Sequence, residues 1–227
     1  MTSVVVAIDG YAGSGKSTTA RAAASRLGFF YLDTGAMYRA FTHKYIRRGG
    51  GDPLDPALIK ALLQETQIDL INREGQTKVM LDGHDVSREI RTPQVNDLVS
   101  QISAVPEIRE FMVRRQREIA REKNVVCEGR DITTVVFPDA AVKIYMDADL
   151  KTRAQRRRRE LGEKGIEVTL DDVMRNLKFR DDFDSSRKHS PLRRTSDSIL
   201  LDTTNLTIEE EINRVVEIVK EKLKVKS

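Results

Sequence analysis

Residues 10–17 read Gly-Tyr-Ala-Gly-Ser-Gly-Lys-Ser, which matches the spacing G-x-x-x-x-G-K-[ST] in full. Glycines let a backbone turn so that several N–H groups face one anion, and a helix starting there adds the positive end of its dipole. Gly10, Tyr11, Ala12, Gly13, Ser14, Gly15, Lys16, Ser17 and Thr18 are therefore expected to hold a polyphosphate. Lys16 would reach the β and γ phosphates, and the Ser17 hydroxyl would bind Mg²⁺. No Asn-Lys-x-Asp base-reading motif of a GTPase is present, and the chain lacks the apolar strand ending in an acid pair that a motor ATPase would show. Val125-Val126-Cys127 ends instead in the single acid Glu128. Two readings of Glu128 stay open: a water-mediated partner of Mg²⁺, or an ordinary acid at a strand end.

Arginines form the second set. Arg39 and Arg130 follow buried strands, Arg153 and Arg156 to Arg159 lie on a basic helix, and Arg180 and Arg187 lie on and just after the next one. Ligands of doubly wound folds bind at the carboxyl ends of strands, where Arg39 and Arg130 can clamp an acceptor phosphate bidentately. Four successive helical residues cannot share a face, so at most one or two of Arg156–Arg159 can enter a site, with Arg153 and Arg157 on one stripe. The others fit a solvated face.

The formal charge of +4 and pI of about 9.2 also suit a nucleic-acid partner. No aromatic stacking set or recognition helix supports that reading, so no nucleic acid is expected. His43, His84 and His189 lack metal spacing and receive no chemistry, and a lone Cys127 in an apolar run reads as a buried thiol. No apolar run approaches the ~20 residues that span a bilayer, and the first residues lack signal-peptide character. A cytoplasmic monomer without membrane contact is expected.

These residues need a scaffold. Val4 to Ile8 is a β-branched run suited to a strand buried on both faces, and an alanine-rich helix from Thr18 ends at Gly28. Further strands are expected at Phe29–Leu32, Val125–Cys127, Ala141–Met146 and Ser198–Leu201. Helices are expected near 34–48, 55–64, 93–123 with a break at Pro106, 150–161, 170–185 and 207–223. Ile68–Ile71 and Val79–Leu81 alternate around an Asn72-Arg73-Glu74-Gly75 turn, with a third strand near Val86, which predicts an antiparallel insert over 62–92. The fold class is α/β: a doubly wound, five-stranded parallel sheet with a small antiparallel insert and a helical lid.

Taken together, five segments resemble the bacterial-type cytidylate kinases of the nucleoside-monophosphate-kinase family. They are Asp9 to Ser17, Leu32 to Arg39, Glu128-Gly129-Arg130-Asp131, Val135 to Ala140 and Arg180-Asp181-Asp182. The likeness runs from about residue 3 to the end and includes the insert, through Leu81-Asp82-Gly83, Asp85-Val86-Ser87 and Glu89 to Thr92. It implies one P-loop kinase domain over 1–227 that moves the γ-phosphoryl group of ATP, with Mg²⁺, onto CMP or dCMP. Within it, 62–92 would bind the monophosphate and 153–165 would form the lid. Ser100, Arg109 and Asp131 would then read cytosine, Arg180 and Asp184 would hold the sugar, and Arg39, Arg130 and Arg187 would surround the acceptor. Thr34 and Tyr38 join the acceptor set, and Lys16, Arg39, Arg130 and Arg157 the catalytic set. The sequence departs from the family at Glu128, where aspartate is expected, and at Thr34, where serine is common. A kinase of another small acceptor, such as UMP or a non-nucleotide metabolite, and a basic RNA-binding module are the competing readings.

The expected chemistry agrees with these residue types. A phosphate monoester has a second pKa of about 6, so the acceptor is largely dianionic and needs no general base. Bringing two polyanions together through a loose transition state needs positive charge and exclusion of water.

Overall fold

The computed structural model describes residues 3–73, 76–163 and 165–224. Glu74 and Gly75 of the expected hairpin turn, and Lys164 within the expected lid, lie outside the described residues.

β1 (Val5–Gly10) alternates its side chains between two cores. Ala7 packs on one side, with Leu32, Val125 and Cys127, and Val6 and Ile8 pack on the other, with Val126, Val142 and Ile144. That alternation is the strand period of two, and the β-branched composition suits a sheet covered on both faces. β2 (Phe30–Asp33), β6 (Val125–Gly129), β7 (Val142–Asp147) and β8 (Ile199–Asp202) join it in the order β2-β6-β1-β7-β8, all parallel. The parallel register brings Asp9 level with Gly129, and Asp33 level with Glu128, so the ends of β1, β2 and β6 form one rim.

α1 (Lys16–Leu27) starts inside the glycine run and stops at Gly28, whose φ of 68° is left-handed and which bonds back to Ala24 and Ser25. α2 (Thr34–Arg47) starts under the Asp33 carboxylate, which accepts from Ala36 N. α3 (Pro56–Glu65) leads into β3 (Ile68–Arg73), β4 (Gln76–Leu81) and β5 (His84–Asp85), an antiparallel sheet. The insert is not a separate body: Ile68, Leu70, Val79, Leu81 and Val86 belong to the same core as α2 and the main sheet. Asn72 ties β3 to β2 by donating to Tyr31 O at 3.0 Å.

The proline-broken helix is α4 (Pro93–Ile102) and α5 (Pro106–Ala120), each with proline in its first turn, where a missing N–H costs nothing. After β6, residues Ile132–Val136 form one π turn, with Val136 N bonding Asp131 O and Phe137 N bonding Ile132 O. α6 (Leu150–Gly162) and α7 (Leu170–Ser186) share a small core of Ala154, Val173 and Leu177 with Ala12 of the glycine run. α8 (Ile208–Lys224) closes the far face against α1.

Candidate active site

The glycine run folds between β1 and α1. A Cβ on Gly10 would run into the carbonyl of Met146 on β7, and one on Gly15, where φ is 90°, would sit 2.5 Å from Glu211 Oε2. The loop is therefore packed too closely for side chains at these points. Within it, the buried Ser14 hydroxyl has no hydrogen-bond partner. Lys16 is only 5% exposed, and its Nζ donates to Tyr11 O at 2.9 Å. Burial, followed by the Arg130 guanidinium, lowers the Lys16 pKa to about 7, and Arg180 adds to the effect.

Arginines surround that ammonium. Arg39 donates to Asn96 Oδ1 at 2.6 Å, and its pKa is lowered by burial and by Arg91, Arg157 and Arg130 against the opposing pull of Asp33. Arg180 is pushed down to about 10 by burial, then by Arg130 and Arg39, with Arg157 adding to it, and its buried Nε has no hydrogen-bond partner. Lys16, Arg39, Arg130, Arg157 and Arg180 thus act on one another electrostatically from four helices and the end of β6. Half-buried, mutually repelling arginines around a buried lysine are suited to a polyanion.

At the rim, Ser17 Oγ donates to Glu128 Oε1 at 2.7 Å and Tyr31 Oη donates to the same oxygen at 3.2 Å. Because Ser17 directs its proton at Glu128, its oxygen lone pairs are free for a cation, so the donor set fits Mg²⁺ held beside phosphate. Burial and the adjacent Glu128 carboxylate raise the Asp33 pKa. Thr34 Oγ1 is committed to Glu128 O at 2.7 Å.

A second cluster lies beside the first. Arg109 and Asp131 are both buried and form an ion pair. Arg109 also donates to Ser103 O at 2.8 Å and lies 5.6 Å from the centre of the Tyr38 ring. Ser103 Oγ bonds Ser100 O, so Ser100 stands one contact behind Arg109. Burial raises the Tyr38 pKa, keeping its phenol protonated. Asp9 holds the segment carrying Asp131: its two carboxylate oxygens accept from Ile132 N at 2.9 Å, Thr133 N at 2.8 Å and Thr133 Oγ1 at 2.6 Å. Burial moves the Asp9 pKa up to about 6 despite these donors.

Two carboxylates meet partners that their spacing does not announce, and one expectation, for Arg156, is corrected. Asp184 does not pair with Arg180 four residues earlier. Its Oδ2 takes Arg130 Nε at 3.0 Å and its Oδ1 lies 3.6 Å from Arg187 Nη1, because the carboxylate points from α7 toward the end of β6. Asp184 is thereby the bridge between the two clusters. Arg156 is not on a solvated face: it donates to Thr203 O at 2.8 Å and Leu206 O at 3.2 Å and pairs with the buried Glu211 at 2.9 Å. Asp131 does not cap the following turn, where no side-chain cap bond is formed. Arg157 pairs with Glu160 at 2.9 Å, and Arg158 and Arg159 are exposed.

Sequence reasoning named Arg153 without its partners and missed Glu211. Arg153 donates to Ala148 O, Ala12 O and Asp181, and covers the Tyr11 ring at 5.1 Å, strapping the glycine run to α6 and α7. Glu211 accepts from Thr19 Oγ1 at 2.7 Å, linking α8 to α1. Tyr31, Asp9 and Asp33 also escaped. Asp9 and Asp33 lie inside the quoted segments Asp9 to Ser17 and Leu32 to Arg39, which is a signal; the partners of Tyr31, Arg153 and Glu211 are distant in sequence and leave none. No group of three or more His, Cys, Asp or Glu able to hold a metal occurs among the described residues, and no helix there is long and apolar enough to cross a membrane.

Comparison with known proteins places this geometry. A solved structure of an uncharacterized protein from Eubacterium ventriosum ATCC 27560 shares the fold alone, with a TM-score of 0.51 at 13% identity, over 96% of this chain and 98% of that one. A cytidylate kinase from Carboxydothermus hydrogenoformans is 48% identical over 94% of this chain and 96% of its own length. One from Caldanaerobacter subterraneus subsp. tengcongensis is 48% identical over 97% and 96%. The model of the cytidylate kinase family matches residues 6–221, and with relatives this similar end to end, the chain belongs to the cytidylate kinase family.

Proposed function

We propose that this chain transfers the γ-phosphoryl group of ATP to CMP or dCMP, giving ADP and CDP or dCDP. The observation that carries the reading is the adjacency of two clusters bridged by Asp184: the cations around the buried Lys16, and the buried Arg109–Asp131 pair. The first suits the phosphates of both substrates, and the second suits a base with a donor beside an acceptor.

In this reading Gly10 to Thr18 wrap the donor phosphates, and Lys16, Arg39, Arg130, Arg157 and Arg180 neutralise charge on the transferred group. Mg²⁺ would be held by Ser17 directly and Glu128 through water, and when bound it supplies positive charge to the β and γ phosphates. Asp131 accepts from the cytosine N4 amino group, and Arg109 donates to N3 or O2, with Ser100 and Tyr38 supporting that pair. Uracil reverses both edge atoms and would leave buried groups unpaired. Thr34 and Arg187 line the acceptor, and Arg180 and Asp184 hold its sugar, with Asp184 fixed by Arg130 and Arg187. Residues 62–92 serve as the monophosphate-binding insert and 153–165 as the lid, with Arg153 at its hinge. The chain works as a cytoplasmic monomer with no nucleic-acid partner.

Release of ADP from ATP over a panel of monophosphates tests the reading. CMP and dCMP are expected to be good acceptors, UMP poor, and AMP and GMP very poor. Turnover of UMP equal to that of CMP would remove the cytosine assignment.

A further inference from the structure

The family departure at Glu128 has a structural counterpart in β2. Glutamate is one methylene longer than aspartate and has one more rotatable bond, so a lone Ser17 contact would leave its carboxylate free to swing. Tyr31 supplies a second donor. Its ring is buried among Ala20, Ala23 and Val126, and its hydroxyl meets Glu128 Oε1, the oxygen that already accepts from Ser17. Arg21 lies 5.6 Å from the centre of the Tyr31 ring, holding it from the α1 side. Asn72 of the insert fixes the Tyr31 carbonyl. Oε1 is thus committed twice, and among the described residues no donor meets Oε2. Two donors on one oxygen fix both the rotation of the carboxylate and the direction of its second oxygen. Burial, followed by the Asp33 and Glu128 charges, keeps the phenol protonated, so it acts as donor throughout the neutral range.

We propose that Tyr31 is a positioning residue for the divalent cation: its hydroxyl aims Glu128 so that Oε2 meets a water of the Mg²⁺ that Ser17 ligates. The inference rests on the Mg²⁺ assignment in the proposed function and on no property of the acceptor. Outer-shell donors of this kind change metal affinity by about 10–100-fold when removed.

Tyr31→Phe keeps the ring and deletes only the hydroxyl. The measurement is the dissociation constant of Mn²⁺ from the enzyme–ADP complex, read by electron paramagnetic resonance with no acceptor present. Tyr31→Phe is expected to weaken Mn²⁺ by about tenfold, with metal-free ADP affinity and melting temperature close to wild type. Glu128→Asp withdraws the carboxylate from the tyrosine, so adding Tyr31→Phe to Glu128→Asp should cost no further affinity. Unchanged Mn²⁺ affinity in Tyr31→Phe, equal loss of metal-free ADP binding, or the same loss in both backgrounds would each overturn the proposal. Failure of CMP turnover in the wild type would instead strike the acceptor reading and leave this measurement intact.

Discussion

Lys16 carries a consequence in its charge. With a pKa lowered to about 7 by burial and then by Arg130, the unliganded ammonium loses its proton well below the 10.5 of a free lysine. A polyphosphate favours the charged form and raises that pKa again, so nucleotide binding takes up a proton wherever pH lies between the free and bound values. Titration calorimetry of ADP at pH 8 in two buffers of different ionisation enthalpy should show uptake approaching one proton, absent in Lys16→Ala. Affinity should fall as pH rises from 7 to 9. For the unliganded fold the sign is fixed by the same shift: between about 7 and 10.5 the unfolded chain binds more protons, so this residue's destabilisation is relieved as pH rises. Asp131 calls for a different substitution. Removing it altogether would leave Arg109 buried and unpaired apart from Ser103 O, a loss of about 3–5 kcal/mol. Asp131→Asn keeps the shape and places an N–H where cytosine also donates. Its CMP activity should fall sharply, and the ratio of CMP to UMP in kcat/KM should narrow by at least about tenfold. An unchanged ratio would take Asp131 out of base recognition.

At the scale of elements, α6 shows where residue type stops being informative. Arg156 to Arg159 are identical in sequence, and helical spacing says only that they diverge. What separates them is what each direction meets: Arg156 reaches carbonyls beyond β8 and a carboxylate on α8, about fifty residues away, whereas Arg157 is partly exposed, pairs with Glu160 and lies near enough to lower the pKa values of Arg39 and Arg180. The same holds for Asp184, which lies four residues from Arg180 on α7 while the end of β6 supplies its partner Arg130. The strands were legible because a sheet covered on both faces demands continuous apolar runs, and the glycine run because its packing against Met146 and Glu211 tolerates no side chain. Long-range side-chain partners obey no such local demand. Paired substitutions on α6 follow from this. Arg156→Ala strands the buried Glu211 and should lower stability by about 2–3 kcal/mol in chemical denaturation while kcat per folded molecule stays near wild type. Arg157→Ala loses an exposed contact, so it should leave the denaturation midpoint unchanged and lower kcat by about tenfold or more. The reverse pattern would exchange their roles.

Over the whole molecule, two cores on either side of one parallel sheet hold β1, β2 and β6 rigid, and the small core of Ala12, Ala154, Val173 and Leu177 fixes α6 and α7 to the glycine run. The scaffold therefore brings together cations from the start of α1, from α2, from the end of β6, from α6 and from α7. That convergence opposes folding in the free protein: burial disfavours the charged forms of Lys16, Arg39 and Arg180, and each is disfavoured further by Arg130. Asp184, Glu128 and Asp33 offset these three in part. An anion that enters the cluster relieves this repulsion in the folded state alone, so it must stabilise the fold by mass action. At a hundred times its dissociation constant a ligand adds about 2.7 kcal/mol, which for a chain of this length corresponds to a rise of about 5–10 °C in melting temperature. Tripolyphosphate should produce such a rise, inorganic phosphate a smaller one, and sodium chloride at matched ionic strength little. Arg180→Ala should raise the melting temperature without anion and shrink the response to tripolyphosphate, since it removes one of the repelling charges. A response that followed ionic strength alone, equal in chloride and tripolyphosphate, would mean that these charges are screened by solvent and that the fold holds no strained cradle.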